Sequence, residues 1–216
     1  VVFGLSEVEV EQKKFHLGSI NLEINFEDRV VLIGPNGEGK STLLKLLLGE
    51  LSSSKGVFQM GSRVKIGYLP QETRFKDKET VLEYFLKTVE LEQSNSRKIL
   101  KRFGFSADDV SVSCQDLSPG EKSRLVLATL MAKDVNCLIL DEPSNHLDPE
   151  ALDRITESLK EFPGTIIIVS HDRYLIDQIG ITKTYLMENG KISALRDYHE
   201  YEENVLLDSG DTKSTV

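Results

Sequence analysis

Cysteine is scarce in this chain. Cys114 and Cys137 are its only two, too few for a disulfide framework, and Cys137 lies inside an apolar, strand-like run. Both read as buried, reduced thiols of a cytosolic protein. Positive charge is also in deficit. Lys and Arg total 26 against 35 Asp and Glu, a formal net charge of −9. So acidic a surface offers no general attraction to nucleic acid or to an anionic membrane. Contact with either needs a local basic patch or a segment outside this chain. Long apolar runs are missing too. The longest, such as Thr165-Ile-Ile-Ile-Val-Ser170, are short and β-branched, like strands of a buried parallel sheet, and fall far below bilayer length. The opening Val1-Val-Phe-Gly-Leu-Ser6 has no basic flank and no long apolar core, so it is not read as a signal peptide. Its lack of an initial Met suggests a piece of a longer protein. The expectation is a cytoplasmic chain with no direct membrane contact.

What is present alternates between strand and helix. Val8-Glu-Val10, Ile20-Asn-Leu-Glu-Ile24 and Val30-Val-Leu-Ile33 read as strands, and residues 56–69 as a further short strand region. From Thr80 to Phe103 the pattern is helical, with Val81, Leu82, Phe85, Leu86 and Val89 on one stripe. A second helix spans Gly120 to Lys133, with Leu125, Val126, Leu127, Leu130 and Met131 facing inward, and a third runs from about Pro149 to Glu161. Leu138–Leu140, Ile166–Val169 and Thr184–Met187 complete the strands. Short connections between alternating elements imply an α/β domain with a mostly parallel sheet and helices on both faces. That domain is expected over 1–207, with a small inserted helical subdomain at about 72–133. Residues 208–216 are polar and read as a disordered tail or the start of a linker. No internal repeat is found.

Two segments carry chemistry. Gly34-Pro-Asn-Gly-Glu-Gly-Lys-Ser-Thr42 is the complete phosphate-loop pattern, set between a strand and a helix as it must be. Its glycines let the backbone curl so that N–H groups converge on the β- and γ-phosphates, and the helix N-terminus adds partial positive charge. Lys40 supplies a mobile cation and Ser41 a hydroxyl for Mg²⁺. A glycine-rich turn before an unrelated helix is the bland alternative, and the full match weighs against it. Downstream, Cys137-Leu-Ile-Leu-Asp-Glu142 is an apolar strand ending in two carboxylates. Asp141 is placed for the Mg²⁺ shell, and Glu142 for polarising a water beside the γ-phosphate. A buried strand ending in solvated acids is the commoner case in isolation. The upstream loop favours the chemical reading.

Four further segments resemble the ATP-binding-cassette (ABC) superfamily, in its order and over roughly residues 3–205. Leu117-Ser-Pro-Gly-Glu-Lys-Ser-Arg124 is similar to the ABC signature, Gln71 to the Q-loop glutamine, Ser144-Asn-His-Leu-Asp148 to the D-loop, and His171 to the switch histidine. The resemblance implies a P-loop NTPase fold with an antiparallel β subdomain at the N-terminus, and ATP and Mg²⁺ as cofactors. It implies a second ABC domain as partner, in a head-to-tail ATP sandwich formed within the intact protein or as a homodimer. Gly34, Pro35, Asn36, Gly37, Glu38, Gly39, Lys40, Ser41 and Thr42 would bind ATP. Ser41, Gln71 and Asp141 would face the metal, and Glu142, His171 and Gln71 would be catalytic. Leu117, Ser118, Pro119, Gly120 and Glu121 would reach the γ-phosphate held by the partner, and Asp148 would link the two sites.

Two positions depart from the superfamily pattern. Pro119 replaces the usual first glycine of the signature, which removes an N–H donor, while Gly120 keeps the flexible position. The adenine-stacking aromatic, expected about two dozen residues before the phosphate loop, falls near Glu11; Phe15 is the nearest substitute. Within the superfamily, Asp141-Glu-Pro-Ser-Asn-His-Leu-Asp148 and Ser170-His-Asp-Arg-Tyr-Leu175 resemble the ABC-F branch, as does Asn189-Gly-Lys191 followed by Asp197-Tyr-His-Glu-Tyr201. That branch implies one half of a tandem translation or ribosome-protection factor, with the ribosome as partner of the full-length protein and antibiotic resistance as one outcome. The alternative is the nucleotide-binding subunit of an ABC membrane transporter.

Overall fold

The computed structural model of the chain describes residues 1–12 and 15–203. These form two compact units, one of residues 1–62 with the stretch from 181 onward, the other of residues 63–180. The tail at 208–216 and the Phe15 side chain lie outside the described residues.

The first unit holds strands β1 (Phe3–Gln12), β2 (Phe15–Ile24) and β3 (Arg29–Ile33), helix α1 (Lys40–Leu47) and strand β4 (Lys55–Met60). Strands β8 (Lys183–Glu188) and β9 (Lys191–Leu195) complete it. Strands β2, β1 and β4 form an antiparallel sheet in that order, the N-terminal β region that the resemblance implies. In β1 the buried residues Phe3, Leu5, Val8 and Val10 break the two-residue period between Leu5 and Val8. A register shift lies at that point, with Glu7 at φ 51. One extra residue on the strand absorbs the mismatch and keeps all four side chains on the core face. Strand β3 pairs in parallel with β8, which turns back as an antiparallel hairpin with β9. Val30 to Ile33 are fully buried, as their unbroken apolar run requires.

The second unit contains β5 (Ile66–Leu69), α2 (Val81–Thr88), α3 (Gln93–Arg102), a 3₁₀ turn at Asp109–Ser111 and α4 (Pro119–Ala132). It continues with β6 (Cys137–Asp141), α5 (Pro149–Glu161), β7 (Thr165–Val169) and α6 (Arg173–Gln178). Strands β5, β6 and β7 are parallel and adjacent in that order, and every residue of β6 and β7 is buried. At about 1.5–3 kcal/mol for each buried Leu, Ile or Val, these strands contribute strongly to the unit's cohesion alongside the buried faces of its helices. Helix starts are chemically marked. Thr80 with Glu83 and Ser118 with Glu121 form capping boxes on α2 and α4, while Asp148 and Asp172 cap α5 and α6.

Several boundaries differ from the sequence reading. The single strand region expected over 56–69 is two strands with different partners: β4 pairs with β1, and β5 with β6. The helix expected from Thr80 to Phe103 breaks at Val89, whose backbone is extended at φ −125 and ψ 123, and resumes after Glu92. The Thr88-Val89 pair is β-branched, which weakens the helix at its last turn. In α4, Leu125 and Leu127 are buried, whereas Val126, Leu130 and Met131 are only half-buried. Helix α6 and strand β9, six and five residues long, are too short to show a clear period. Among the described residues no helix is long and apolar enough to cross a membrane.

Both cysteines are buried in the folded chain. Burial pushes the Cys114 thiol up to about 11 and the Cys137 thiol up to about 12, from an ordinary value of 9.0. The folded state therefore disfavours the thiolate, and this contribution to stability is full below about pH 9 and lost as the pH rises towards 11 and 12. Alkylation followed by mass spectrometry at pH 8 is expected to label neither thiol in the native chain and both in denaturant. Fast native labelling of Cys137 would show that the β6 core opens readily.

Candidate functional site

Within the first unit, the chain leaves β3 at Ile33 and enters α1 at Lys40 through the glycine-rich loop. The loop backbone passes through the left-handed region at Gly34, Gly37 and Gly39, with φ of 136, 89 and 100. At Gly34 the reason is tight packing as well as direction, because a Cβ there would lie 2.0 Å from the Met187 carbonyl oxygen of β8. Only glycine fits. Gly39 sits at the N-cap of α1 with no side-chain cap, so the N-cap residue itself takes up none of the first N–H groups of the helix. Lys40 is 8% exposed, and its ammonium donates to the carbonyls of Gly34 at 2.6 Å and Pro35 at 2.7 Å. A cation held in so buried a place by backbone oxygens favours the approach of an anion.

Within the second unit, parallel pairing brings three chain exits to one edge. Leu69 lies opposite Leu140, and Asp141 opposite Val169. Gln71, Glu142 and His171 follow these strand ends by one or two residues, so they emerge at nearly the same level beyond β5, β6 and β7. That is where ligands bind in open α/β sheets. Asp141 is 7% exposed. The Glu142 N–H donates to the Val169 carbonyl at 2.8 Å, which carries the ladder one step past the strand, and Glu142 adopts φ 51. A non-glycine residue in that region costs about 1–3 kcal/mol and clusters at functional sites. His171 Nε2 is 3.8 Å from Glu142 Oε1, too long for a direct hydrogen bond. The exposed Gln71 lines a cavity of about 200 Å³ with Pro119, Lys122, Ser123 and His146, so three separate segments of the sequence meet there.

The start of α4 is built differently from the sequence expectation. Gly120 does not use its conformational freedom, since its φ is not positive. It is needed for closeness: a Cβ would lie 2.3 Å from the His146 carbonyl oxygen. His146 has φ 64, in a turned segment where Asn145 N–H donates to the Glu142 carbonyl at 3.2 Å and Leu147 N–H to that of Ser144 at 3.3 Å. Pro119 takes the first helical position, where the missing N–H would have been an orphan and the fixed φ suits the helix. The Ser118 hydroxyl is engaged within its own helix, donating to Glu121 Oε2 at 2.7 Å, and Leu117 is buried beside it. Asp148 accepts from Ala151 N–H at 2.9 Å, so its carboxylate fixes α5.

Sequence reasoning missed the contact of Gly120 with His146 and the tie between α5 and α6, in which the Tyr174 hydroxyl donates to Asp153 at 2.7 Å. Neither has a local signal. The reciprocal Ser118–Glu121 pair does have one, the Ser-x-x-Glu spacing of a capping box.

A family model described as ABC transporter matches residues 17–145. The ATP-binding protein YdiF of Bacillus subtilis is 39% identical over 189 residues, covering 87% of this chain and 29% of that protein. A protein of Encephalitozoon cuniculi named as an ATP-binding cassette sub-family F member 3 homolog is 38% identical over 178 residues, covering 82% of this chain and 31% of its own. The chain thus spans about a third of the length of the curated relatives it matches. A solved dimeric ATP-binding cassette in a post-hydrolysis state, bound to ADP and Pi, has a TM-score of 0.76 at 20% identity, over 91% of this chain and 100% of that one. The shared fold is that of the P-loop NTPases.

Gly120→Ala tests the packing at α4. Forcing a Cβ against the His146 carbonyl should cost about 1–3 kcal/mol and lower the melting temperature by roughly 2–10 °C. An unchanged melting temperature would mean that this close approach is not held in solution.

Proposed function

The chain belongs to the ABC transporter family as one of its ATPase domains, and from that premise we propose that it hydrolyses Mg²⁺-ATP when a second cassette closes over the nucleotide. The observation that carries this is the common level at which Gln71, Glu142 and His171 leave three adjacent parallel strands. In this reading residues 1–207 act as one cassette, with 72–133 as its helical subdomain. Gly34 to Thr42 wrap the phosphates, and Lys40 turns from its loop carbonyls to the β- and γ-phosphate oxygens. The donors assigned to the metal are all hard oxygens: the Ser41 hydroxyl, the Asp141 carboxylate and the Gln71 amide oxygen. Such a set suits Mg²⁺, which favours one or two carboxylates together with substrate phosphates. When bound, Mg²⁺ neutralises charge on the β- and γ-oxygens.

The Glu142 carboxylate takes a proton from water as the water oxygen bonds to the γ-phosphorus. The bond from that phosphorus to the bridging oxygen breaks, leaving ADP and inorganic phosphate. His171 donates to the γ-phosphate, and Gln71 orients the water. Ser118 and Gly120 of the second cassette, within Leu117 to Glu121, complete the γ-phosphate shell, and Asp148 links one site to the other. Similarity to proteins named for sub-family F, together with the Ser144–Asp148 and Ser170–Leu175 segments, supports an ABC-F parent that acts in the cytoplasm on the translating ribosome or protects it. Co-sedimentation of the full-length parent with ribosomes tests that assignment. A parent recovered only with membranes would return it to the transporter branch.

Lys40→Ala is expected to abolish binding of a fluorescent ATP analogue at micromolar concentration, because the phosphates lose their main mobile counter-charge. Wild-type affinity in that variant would remove Lys40 from the site. Glu142→Gln keeps the shape of the side chain but is a very poor proton acceptor. It should bind ATP normally and shift from monomer to dimer on adding ATP, read by size-exclusion chromatography with light scattering up to high micromolar protein. A variant that binds ATP yet stays monomeric throughout would show that the second cassette is a different one.

A further inference from the structure

The donors at the start of α4 already hold an anion, and that anion belongs to the chain itself. Glu121 Oε2 accepts from the Ser118 N–H at 2.8 Å and from the Ser118 hydroxyl at 2.7 Å. In return the Glu121 N–H donates to Ser118 Oγ at 3.3 Å. Pro119 has no N–H to offer, which leaves the Gly120 N–H as the one backbone donor from 118 to 121 outside this reciprocal pair. A γ-phosphate approaching Ser118 therefore meets a carboxylate on the same donors. Two anions competing for one set of N–H and O–H groups cannot both be served, and their mutual repulsion adds to the conflict.

A second place for the carboxylate is built one turn along the helix. The other oxygen, Glu121 Oε1, lies 3.9 Å from Arg124 Nη2. Arg124 is itself fixed: Nη1 donates to the carbonyls of Phe103 at 3.1 Å and Gly104 at 3.3 Å, and the guanidinium lies over the Phe105 ring at 5.2 Å. Its side chain is 14% exposed, against 35% for Glu121. An anchored cation thus faces a half-buried carboxylate that retains room to rotate. Protonation is not needed to release Ser118, because a small side-chain rotation transfers the charge to the guanidinium.

We propose that Glu121 is a displaceable plug, an internal carboxylate that occupies the phosphate position at the start of α4 in the unpaired chain and swings onto Arg124 when a nucleotide-loaded cassette docks. This rests on the pairing reading given above and adds a restraint to it: pairing is held back until the γ-phosphate outcompetes Glu121. The carboxamide of Gln has the same length and still accepts from Ser118, but as a neutral acceptor it is held more weakly and does not repel the phosphate.

The test is ATP-dependent dimerisation in the Glu142→Gln background, with and without Glu121→Gln, by light scattering over a protein titration. Exchanging a charged for a neutral acceptor should tighten pairing about fivefold per site, and so about 25-fold for a sandwich with two sites. If Glu121 acts only as a helix cap, Glu121→Gln leaves pairing unchanged or weakens it, and the plug is overturned while pairing stands. Adding Ser118→Ala gives a second readout, since the gain from Glu121→Gln should shrink once the contested hydroxyl is gone. A gain of full size without that hydroxyl would also overturn the plug, by assigning the effect to unlocalised charge repulsion. If no background pairs on adding ATP, pairing between two copies of this chain falls and the plug falls with it, while pairing with a different cassette is left standing.

Discussion

Parallel strand pairing imposes a constraint that antiparallel pairing does not: every strand of the set releases its chain at the same edge. In the second unit that constraint is enforced by β6, buried at each position and paired on both sides. The residues that do the enforcing, Leu138, Ile139 and Leu140 with Ile166, Ile167 and Ile168, carry no chemistry of their own. They hold Gln71, Glu142 and His171 at one level although these are far apart in the sequence. The left-handed turn at Glu142 is tolerated because the ladder bond from its N–H to Val169 fixes the backbone on the strand side. Site geometry here is a product of apolar burial more than of polar contacts.

What was legible in the sequence was local. The loop from Gly34 to Thr42 carries its whole meaning within one short stretch, and the structure places it between β3 and α1 as the pattern requires. The helix expected from about Pro149 to Glu161 is found there, with Asp148-Pro149 at its start and Phe162-Pro163 just past its end. Membership of the ABC transporter family was legible from the order of motifs, none of which is decisive alone. What escaped was set by partners distant in the chain. The split of residues 56–69 into two strands depends on which strand each half pairs with. The shift at Glu7 is a response to register. The contact of Gly120 with His146 joins segments that no periodicity connects.

The start of α4 shows how the two kinds of information can conflict. By resemblance, Ser118 offers a hydroxyl to a phosphate and Pro119 is a flaw, one donor short. In the folded chain Pro119 is a sound first residue of the helix, and the hydroxyl is satisfied by Glu121. The capping box is a local solution to the orphan donors that every helix start presents, and it uses the very groups that make a helix start attractive to anions. Helix stability and phosphate binding therefore draw on the same atoms at this point. The proline loses a donor for the second purpose without cost to the first.

The close approach of Gly120 to the His146 carbonyl is a contact of one sign only. Atoms at van der Waals distance resist compression steeply but are held together by little when drawn apart. The first turn of α4 and the 144–148 segment thus behave as a strut and its seat. At this contact, movement of either towards the other meets steep repulsion, whereas movement away meets little resistance from the contact itself. Mechanical information at this joint travels as a push.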